Sequence, residues 1–280
     1  HLRFGLGFDE MPYFCTSHAF CKRIMGISQV MGGKDVYEFL EGHDFNLTKK
    51  YGANPRAVRS VVQDPYFDII ERAKANCRSL KEERLSLEKE QRKGVVIHML
   101  EPIADAWENF RLSRVPPVYS FADMINKFLV DGTPPELDVL IVDEAQDLAE
   151  LNWRLVEKLA GNAKKTFIAG DDDQAIYEWN GAKPQRFVGY EGENIILNQS
   201  YRIPSKVHPI AEKISKRITL REPKTYKPRE EKGTVNKVGS IDMLPVDKGQ
   251  WLILASCDYM LTDASKGYNV RKYLIDNGHP

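Results

Sequence analysis

The stretch Leu137–Asp173, LDVLIVDEAQDLAELNWRLVEKLAGNAKKTFIAGDDD, decides the fold class. It opens with four consecutive apolar residues, Val139 to Val142, the pattern of a strand that is buried on both faces. An apolar stripe at helical spacing follows, and Gly161 is placed to stop that helix. The stripe consists of Leu148, Leu151, Leu155, Val156 and Leu159. KTFIAG then has the pattern of a second strand. Strand, helix and strand within about thirty residues predict a βαβ unit, and therefore an α/β fold with a parallel sheet and right-handed crossovers.

The overall composition is that of an ordinary globular protein, with 42% hydrophobic and 29% charged residues among 280. Lys plus Arg equals Asp plus Glu, 40 each, so any binding of nucleic acid must come from a local surface. No apolar run approaches the ~20 residues of a membrane span. The four cysteines show no CxxC spacing, which favours free thiols in a reducing compartment. We therefore expect a cytoplasmic protein that does not bind membranes.

The residues before this stretch read as a short strand, Pro12 to Cys15, then a polar turn and a long helical region. Apolar residues at helical spacing in FDIIERAKANCRSL and VVIHMLEPIADAWENF place that region at about Lys22 to Pro117. Its charge run KEERLSLEKEQRKG, residues 81–94, mixes signs at i,i+3 and i,i+4 distances. This mixture is typical of a helix face exposed to solvent rather than of a binding site.

The residues after it continue the α/β pattern. NIILN, Asn194 to Asn198, is predicted as a third strand, and PSKVHPIAEKIS as a helix in which Pro209 removes one backbone hydrogen bond. Further strands are predicted at GTVNKV and WLILAS, with a helix near Arg271 to Asp276. The last segment, Gly233 to Pro280, therefore reads as the beginning of a second α/β domain.

Carboxylates follow both strands of the βαβ unit. Asp143 and Glu144 come directly after the first, and Asp171–Asp173 directly after the second. Ligands of parallel sheets bind outside the carboxyl ends of the strands, so both clusters should face one crevice. Adjacent like charges are costly there unless a cation or a proton compensates them. A hydrated Mg²⁺ held by Asp143, with a nucleoside triphosphate supplying other oxygens, would do so and would leave Glu144 to orient or deprotonate a water. The alternative is a solvated acidic loop, which the apolar strand before each cluster disfavours.

Two aromatic residues, Tyr177 and Trp179, stand two positions apart among Glu178, Asn180 and Gly181. This setting indicates a surface loop, although the two rings could instead be core residues under the edge of the sheet. Stacking of a base on an exposed ring contributes ~1–3 kcal/mol and tolerates any base. The loop is therefore a candidate contact for single-stranded nucleic acid.

Several of these stretches resemble the motifs of one family. VLIVDEAQD (Val139–Asp147) and FIAGDDDQAIYEWNGA (Phe167–Ala182) resemble motifs II and III of superfamily 1 DNA helicases of the UvrD/PcrA/Rep type. LNQSYRIPSKV (Leu197–Val207) is similar to motif IV, and YFCTSHAF (Tyr13–Phe20) to motif Ib. VYSFADMINKFL, which follows the helical region, resembles the segment that leads back into the first motor domain.

The resemblance implies a fold of two RecA-like motor domains of the P-loop NTPase type, each interrupted by a helical insertion. Residues 1–21 and 118–203 would then be part of the first motor domain, 22–117 its helical insertion, and 204–280 the beginning of the second motor domain. The family uses ATP and Mg²⁺ to translocate on single-stranded DNA and to separate duplexes in the 3′→5′ direction. Expected partners are therefore single-stranded DNA and junctions of single- and double-stranded DNA, with accessory replication or repair proteins left unidentified.

The same resemblance implies roles for individual residues. Asp143 corresponds to the Mg²⁺-binding aspartate and Glu144 to the catalytic glutamate. Gln174 resembles the glutamine that contacts the γ-phosphate and links it to the DNA site. Arg202 resembles the arginine finger, whose charge stabilises the γ-phosphate during transfer, although a surface salt bridge is the alternative.

For DNA, the resemblance implies contacts from motif Ib and motif III. Tyr177 and Trp179 correspond to the aromatic residues that meet bases, and Thr16 and His18 to the motif Ib contacts with the strand. Asn180 occupies a phosphate-contacting position where the family usually has arginine, which implies a weaker grip there.

The sequence departs from the family in its nucleotide-binding motifs. The 280 residues contain no GxxxxGK[ST], the P-loop that cradles phosphates. MGGKDVYEF is no substitute, because Asp35 stands where Ser or Thr is needed, and motifs V and VI are also absent. We therefore expect an internal segment of a longer helicase that does not by itself hydrolyse ATP at a useful rate. The alternatives are a degenerate motor that serves as a DNA- or protein-binding module, and a fused helicase–nuclease.

Overall fold

The computed structural model describes residues 13–43, 65–89, 91–239, 243 and 253–254. The chain divides into two compact units, His1–Ile196 with Ile218–Lys224, and Leu197–Arg217 with Thr225–Pro280. No helix within the described ranges has the length and apolar character that crossing a membrane requires.

The first unit combines helices with two short parallel sheets. Its helices are α1 (Ser17–Ile24), α2 (Gly33–Gly42), α3 (Pro65–Ala75), α4 (Leu80–Ser86), α5 (Ile97–Leu112), α6 (Phe121–Asp131), α7 (Glu150–Ala160) and α8 (Pro184–Val188). Its strands are β1 (Gln29–Val30), β2 (Val118–Tyr119), β3 (Leu137–Val142) and β4 (Ala163–Ile168). Short 3₁₀ turns lie at Ala145–Asp147, Asp172–Gln174 and Glu178–Asn180. β1 pairs in parallel with β2, and β3 with β4.

The predicted βαβ unit is confirmed as β3, α7 and β4. Ile141 lies opposite Phe167 in the parallel ladder, one position before the end of each strand. α7 ends at Ala160, and Gly161 caps it, as the sequence predicts. The fold of this unit is therefore α/β, and both strands end at the same edge of the sheet.

The prediction that β3 is buried on both faces is wrong. Val139 is 46% exposed, Ile141 69%, and Phe167 on β4 54%. The intervening Leu140 and Val142 face the core, because successive side chains of a strand point to opposite faces. Among the described residues, therefore, only one face of the β3–β4 pair is covered.

The helical region has its own core, built from α2, α3 and α5. Large side chains that are nearly or fully buried there include Phe39, Ile69, Ile70, Leu100, Ile103 and Trp107. α4 begins with a capping box, in which Ser79 and Glu82 each accept from the other's backbone N–H. The prediction that the charge run faces solvent is wrong at Glu83, which is 0% exposed.

The predicted strand at Pro12 to Cys15 is also wrong in its described part. Residues 13–15 form a turn, and Thr16 then caps α1 by accepting from the Ala19 N–H at 3.3 Å. The supposed polar turn is this helix, which buries Phe20 and Cys21 on one side.

The second unit, in its described part, contains β5 (Gln199–Pro204), α9 (His208–Ser215) and β6 (Lys227–Arg229), with β5 and β6 parallel. The predicted strand Asn194 to Asn198 is wrong, because strand pairing begins only at Gln199. Pro209 lies in the first turn of α9, where no backbone hydrogen bond is lost.

Of the remaining secondary-structure predictions for this unit, one is wrong and the others fall mainly outside the described residues. The strand predicted at GTVNKV is wrong, because residues 233–238 have no regular structure. The helix near Arg271 to Asp276 lies outside the described residues, as does most of WLILAS. The domain boundaries inferred from the family resemblance stay a prediction.

Candidate functional site

The end of β3 presents two exposed carboxylates, Asp143 and Glu144. The Asp143 carboxylate accepts from the Glu144 N–H at 3.0 Å through Oδ1, and Oδ2 has no hydrogen-bond partner among the described residues. Glu144 has φ +52°, a left-handed conformation that is uncommon for residues other than glycine. Such conformations persist where the surroundings hold them, and they cluster at functional sites.

Gln146 holds the two strand ends together. It is 1% exposed. Its Nε2 donates to Glu144 Oε2 at 2.7 Å, and its Oε1 accepts from the Asp171 N–H at 3.0 Å. Gln146 therefore links the Glu144 carboxylate after β3 to Asp171, the first aspartate after β4, at one edge of the sheet, as the sequence predicts. No role was predicted for Gln146 from the sequence. Its position in DEAQD, directly after the Asp143–Glu144 pair, was the signal that could have identified it.

Gly170 allows this bridge to form. A Cβ at this position would lie 2.5 Å from Gln146 Oε1 and 3.1 Å from the Phe187 ring. Contacts this short would displace the glutamine. Glycine is therefore required here for close packing.

The negative charge of the three aspartates after β4 is partly neutralised by cationic side chains of the same chain. Arg221 donates to both carboxylate oxygens of Asp173, at 2.7 and 2.8 Å. Lys224 lies 3.0 Å from Asp171 Oδ1 and also contacts Asp172, which is 4% exposed. Two side chains about fifty residues later in the chain therefore supply positive charge to this cluster. The Mg²⁺ site predicted at Asp143 stays a prediction.

Gln174 follows this cluster and is exposed. Its Nε2 donates to Asp171 Oδ2 at 2.7 Å. Gln174, Asp171, Gln146 and Glu144 thus form a continuous chain of hydrogen bonds along the carboxyl edge of the sheet.

In the described part of the chain, this edge offers Asp143 as a single carboxylate ligand for a hydrated Mg²⁺. The described residues contain no group of three or more His, Cys, Asp or Glu side chains placed to hold a metal ion. The exposed Asp143 carboxylate, with one oxygen unpaired there, fits the single carboxylate that Mg²⁺ takes when phosphates and waters complete its shell.

The aromatic loop, defined here as Tyr177–Gly181, lies on the surface. Tyr177 is 44% exposed and Trp179 62%, and their ring centroids are 6.4 Å apart at an interplanar angle of 47°. The prediction of a surface loop is confirmed. Both rings are therefore partly open to solvent.

A cavity of about 490 Å³ opens beside this loop within the first unit. Its lining includes His18, Phe121, Tyr177 and Asn180. Its charged lining residues are Asp68, Glu71, Asp147 and Arg72. The structure therefore brings the motif Ib histidine and two residues of the motif III loop together. Thr16 and Trp179 are not among the lining residues, and the hydroxyl of Thr16 is used as the helix cap.

Burial shifts the pKa of four titratable side chains in the cavity wall. It lowers the pKa of His18, whose ring packs edge-on against Phe121 at 5.1 Å, and so favours the neutral imidazole. Burial also raises the pKa of Asp68, Glu71 and Asp147. These shifts favour the uncharged forms of His18 and of the three acids, beside the aromatic rings of Phe121 and Tyr177.

Arg202, the predicted arginine finger, belongs to the second unit. It lies on β5 and is exposed, and its backbone N–H donates to Ser200 Oγ at 3.4 Å. Its role at the γ-phosphate stays a prediction.

Comparison with known proteins gives a consistent result. Residues 10–193, more than half of the chain, match the model of the UvrD/REP helicase N-terminal domain. The chain is 30% identical over 147 residues to a probable DNA helicase II homolog of Mycoplasma capricolum, an alignment that covers 51% of this chain and 18% of that protein. It is 33% identical over 116 residues to the ATP-dependent DNA helicase PcrA of Staphylococcus aureus, covering 40% of this chain and 14% of that protein. The matched part of this chain thus spans less than a fifth of either relative.

Proposed function

The chain belongs to the UvrD/REP helicase family, and on that premise we propose that it is a segment of an ATP-dependent DNA helicase or translocase. In this proposal it couples hydrolysis of Mg²⁺–ATP to movement along single-stranded DNA. The observation that carries the proposal is the path of one short segment. Asp171 begins it at the carboxyl edge of the sheet, and Asn180 ends it at the cavity.

The nucleotide half of the proposal rests on the carboxyl edge. Asp143 binds Mg²⁺, which neutralises charge on the phosphates when it is bound. Glu144 orients or deprotonates the attacking water, and the hydrogen bond from Gln146 together with the left-handed backbone holds its carboxylate in place. Gln174 senses the γ-phosphate, and its hydrogen bond to Asp171 links it to this edge.

The DNA half rests on the aromatic loop and the cavity. A base stacks on Tyr177 or Trp179, both of which are exposed. The cavity wall presents the rings of Phe121 and Tyr177, so in this proposal the cavity takes the base, the uncharged part of the nucleotide. His18 and Asn180 contribute polar groups at its wall.

The finer properties follow from family membership alone. We infer 3′→5′ polarity, preference for junctions of single- and double-stranded DNA, an arginine-finger role for Arg202, RecA-like motor domains with the boundaries given above, and a cytoplasmic location. Residues 1–280 contain no GxxxxGK[ST], so we further infer that this chain alone hydrolyses ATP poorly.

ATPase activity stimulated by single-stranded DNA tests the proposal. It should be measured on this chain and on a longer product of the same gene that includes upstream sequence. We expect hydrolysis by the longer protein and little by the short chain. Robust hydrolysis by the short chain would contradict the inference about the P-loop. A longer protein that binds single-stranded DNA without turnover would instead support the degenerate binding module.

A further inference from the structure

The aromatic loop is held from the helical region as well as from its own strand. Arg72 on α3 donates through one terminal nitrogen to the main-chain carbonyl of Trp179, although 107 positions separate the two residues. The Arg72 side chain is about one-tenth exposed, whereas the side chain of Trp179, whose carbonyl accepts this bond, is largely exposed. The contact therefore anchors the backbone of a residue whose ring has little packing of its own.

The orientation of Arg72 is set by a buried acid. Glu83 is 0% exposed and accepts from Arg72 Nε at 3.2 Å and from Asn76 Nδ2 at 3.0 Å. Arg78 lies 3.5 Å away as a third partner. A guanidinium carries several donors in a rigid plane, so it can serve Glu83 and the Trp179 carbonyl at the same time.

A second contact fixes the other end of the loop. A Cβ at Gly181, where φ is +99°, would lie 2.7 Å from Asn76 Oδ1. The loop backbone thus packs directly against Asn76, the residue that follows α3. The contacts at Trp179 and Gly181 lie on either side of Asn180, a residue of the cavity wall.

We propose that Arg72 is a positioning residue, which holds the aromatic loop so that the Tyr177 and Trp179 rings stand ready to stack on single-stranded DNA. The inference rests on the proposed function for its DNA ligand, but the positioning itself is a property of the free protein. An exposed ring on an unanchored loop loses conformational freedom when it binds, and a loop held in advance avoids that cost.

The test uses Arg72→Lys, with Arg84→Lys as the matched control. The lysine ammonium retains a positive charge beside the buried Glu83, so the fold is kept. As a single point charge it cannot also reproduce the planar second donor to Trp179. Arg84 lies on α4 in the same region. Its side chain donates to the Val95 carbonyl at 3.1 Å and, among the described residues, makes no hydrogen bond to the aromatic loop.

Two measurements decide the outcome. In hydrogen exchange of the free protein, Arg72→Lys should speed exchange of the amides of 177–181 by about tenfold, while Arg84→Lys leaves them unchanged. Gly181→Ala should have the same effect, because its Cβ pushes the loop away from Asn76. Unchanged exchange in both loop-directed variants overturns the positioning role, whatever happens to DNA.

The second measurement is affinity for a deoxythymidine 20-mer at fixed salt. Arg72→Lys should weaken binding by about tenfold in the wild-type background and by less than about twofold in a Trp179→Ala background. Equal losses in both backgrounds would mean that Arg72 acts as a direct contact, which overturns the proposal. Faster exchange without any effect of Trp179→Ala on DNA affinity would support positioning and would count against the DNA-stacking function instead.

Discussion

The side-chain amide of Gln146 donates to the Glu144 carboxylate at 2.7 Å, while its carbonyl oxygen accepts from the Asp171 N–H at 3.0 Å. One buried amide thereby fixes the candidate catalytic carboxylate relative to the next strand end. The bridge uses both ends of the amide, so no apolar side chain of similar length can replace it.

Gln146→Met should lower the free energy of unfolding by about 1–3 kcal/mol, because it leaves the part-buried Asp171 N–H without its acceptor. Urea unfolding followed by circular dichroism measures this change. Gln185→Met, at an exposed position on α8, is the matched control and should change stability by less than about 0.5 kcal/mol. Equal effects of the two variants would show that the Gln146 bridge contributes nothing to the free energy of unfolding.

Gly170→Ala should destabilise the first unit by about 1–3 kcal/mol, since the added methyl group meets Gln146 Oε1 at 2.5 Å. Gly42→Ala provides the comparison, because a Cβ there meets nothing within 4 Å. That change should be neutral or slightly stabilising, as alanine is favoured over glycine in a helix. Thermal unfolding midpoints of both variants test the difference, and a Gly170→Ala protein as stable as wild type would contradict the packing argument.

Lys224→Met should be strongly destabilising, by about 3–5 kcal/mol, because it leaves the buried Asp172 carboxylate without its cation. The Lys224 side chain is 6% exposed. Lys164→Met removes the same charge from an ion pair with Asp138 whose side chains are 80% and 83% exposed, and should cost less than about 1 kcal/mol. Both values come from urea unfolding at the same pH. Similar losses would mean that the aspartate cluster is compensated in another way.

Trp179→Ala should reduce affinity for single-stranded DNA by about tenfold, the loss of one stacking ring. Ile176→Ala removes an apolar side chain that is 67% exposed and immediately precedes the aromatic loop, and it should change affinity by less than about twofold. Fluorescence anisotropy of a labelled deoxythymidine oligomer measures both. A Trp179→Ala protein that binds as tightly as Ile176→Ala would assign the tryptophan another role.

The half-buried Asp123 should make stability depend on pH below the physiological range. Burial alone would raise the pKa of its carboxyl, but the Lys74 ammonium and the Arg111 guanidinium outweigh that effect and lower the pKa to about 2. Because this folded pKa lies below the unfolded value of ~3.9, the group stabilises the fold above pH ~4 and that contribution, about 2 kcal/mol, is lost as the pH falls through about 2.

Asp123→Asn isolates this effect from other titrating groups. The stability difference between wild type and the variant should be largest above about pH 5 and should shrink towards pH 2. Urea unfolding at a series of pH values measures it. A difference that stays constant over this range would show that the carboxyl has the same pKa in the folded and unfolded chain.

Much of the α/β unit could be predicted because its signals are local. The apolar run of β3, the apolar stripe of α7 and the apolar residues of β4 lie next to one another in the chain. In each segment the spacing of the apolar residues predicts a strand or a helix. The errors have a common cause. Whether Val139 is covered, and whether Asn194–Asn198 finds a partner strand, depends on residues distant in sequence.

The features of the candidate site likewise divide into those that follow from local sequence pattern and those that depend on distant residues. The sequence placed Asp143, Glu144 and Asp171 at one edge of the sheet and Tyr177 with Trp179 in an exposed loop, since strand ends and short polar loops follow from local pattern. It carried no sign that Arg221 and Lys224 neutralise the aspartates.

The sequence by itself thus determined the strand–helix–strand unit and the carboxylates at its edge. Only the tertiary structure decided which charges meet. It buried Glu83 within a run that reads as a solvated helix face, and it brought Arg72 to a carbonyl 107 positions away. The physical reason is that a buried charge must find its partner in space, and the partner's position along the chain leaves no local pattern to read.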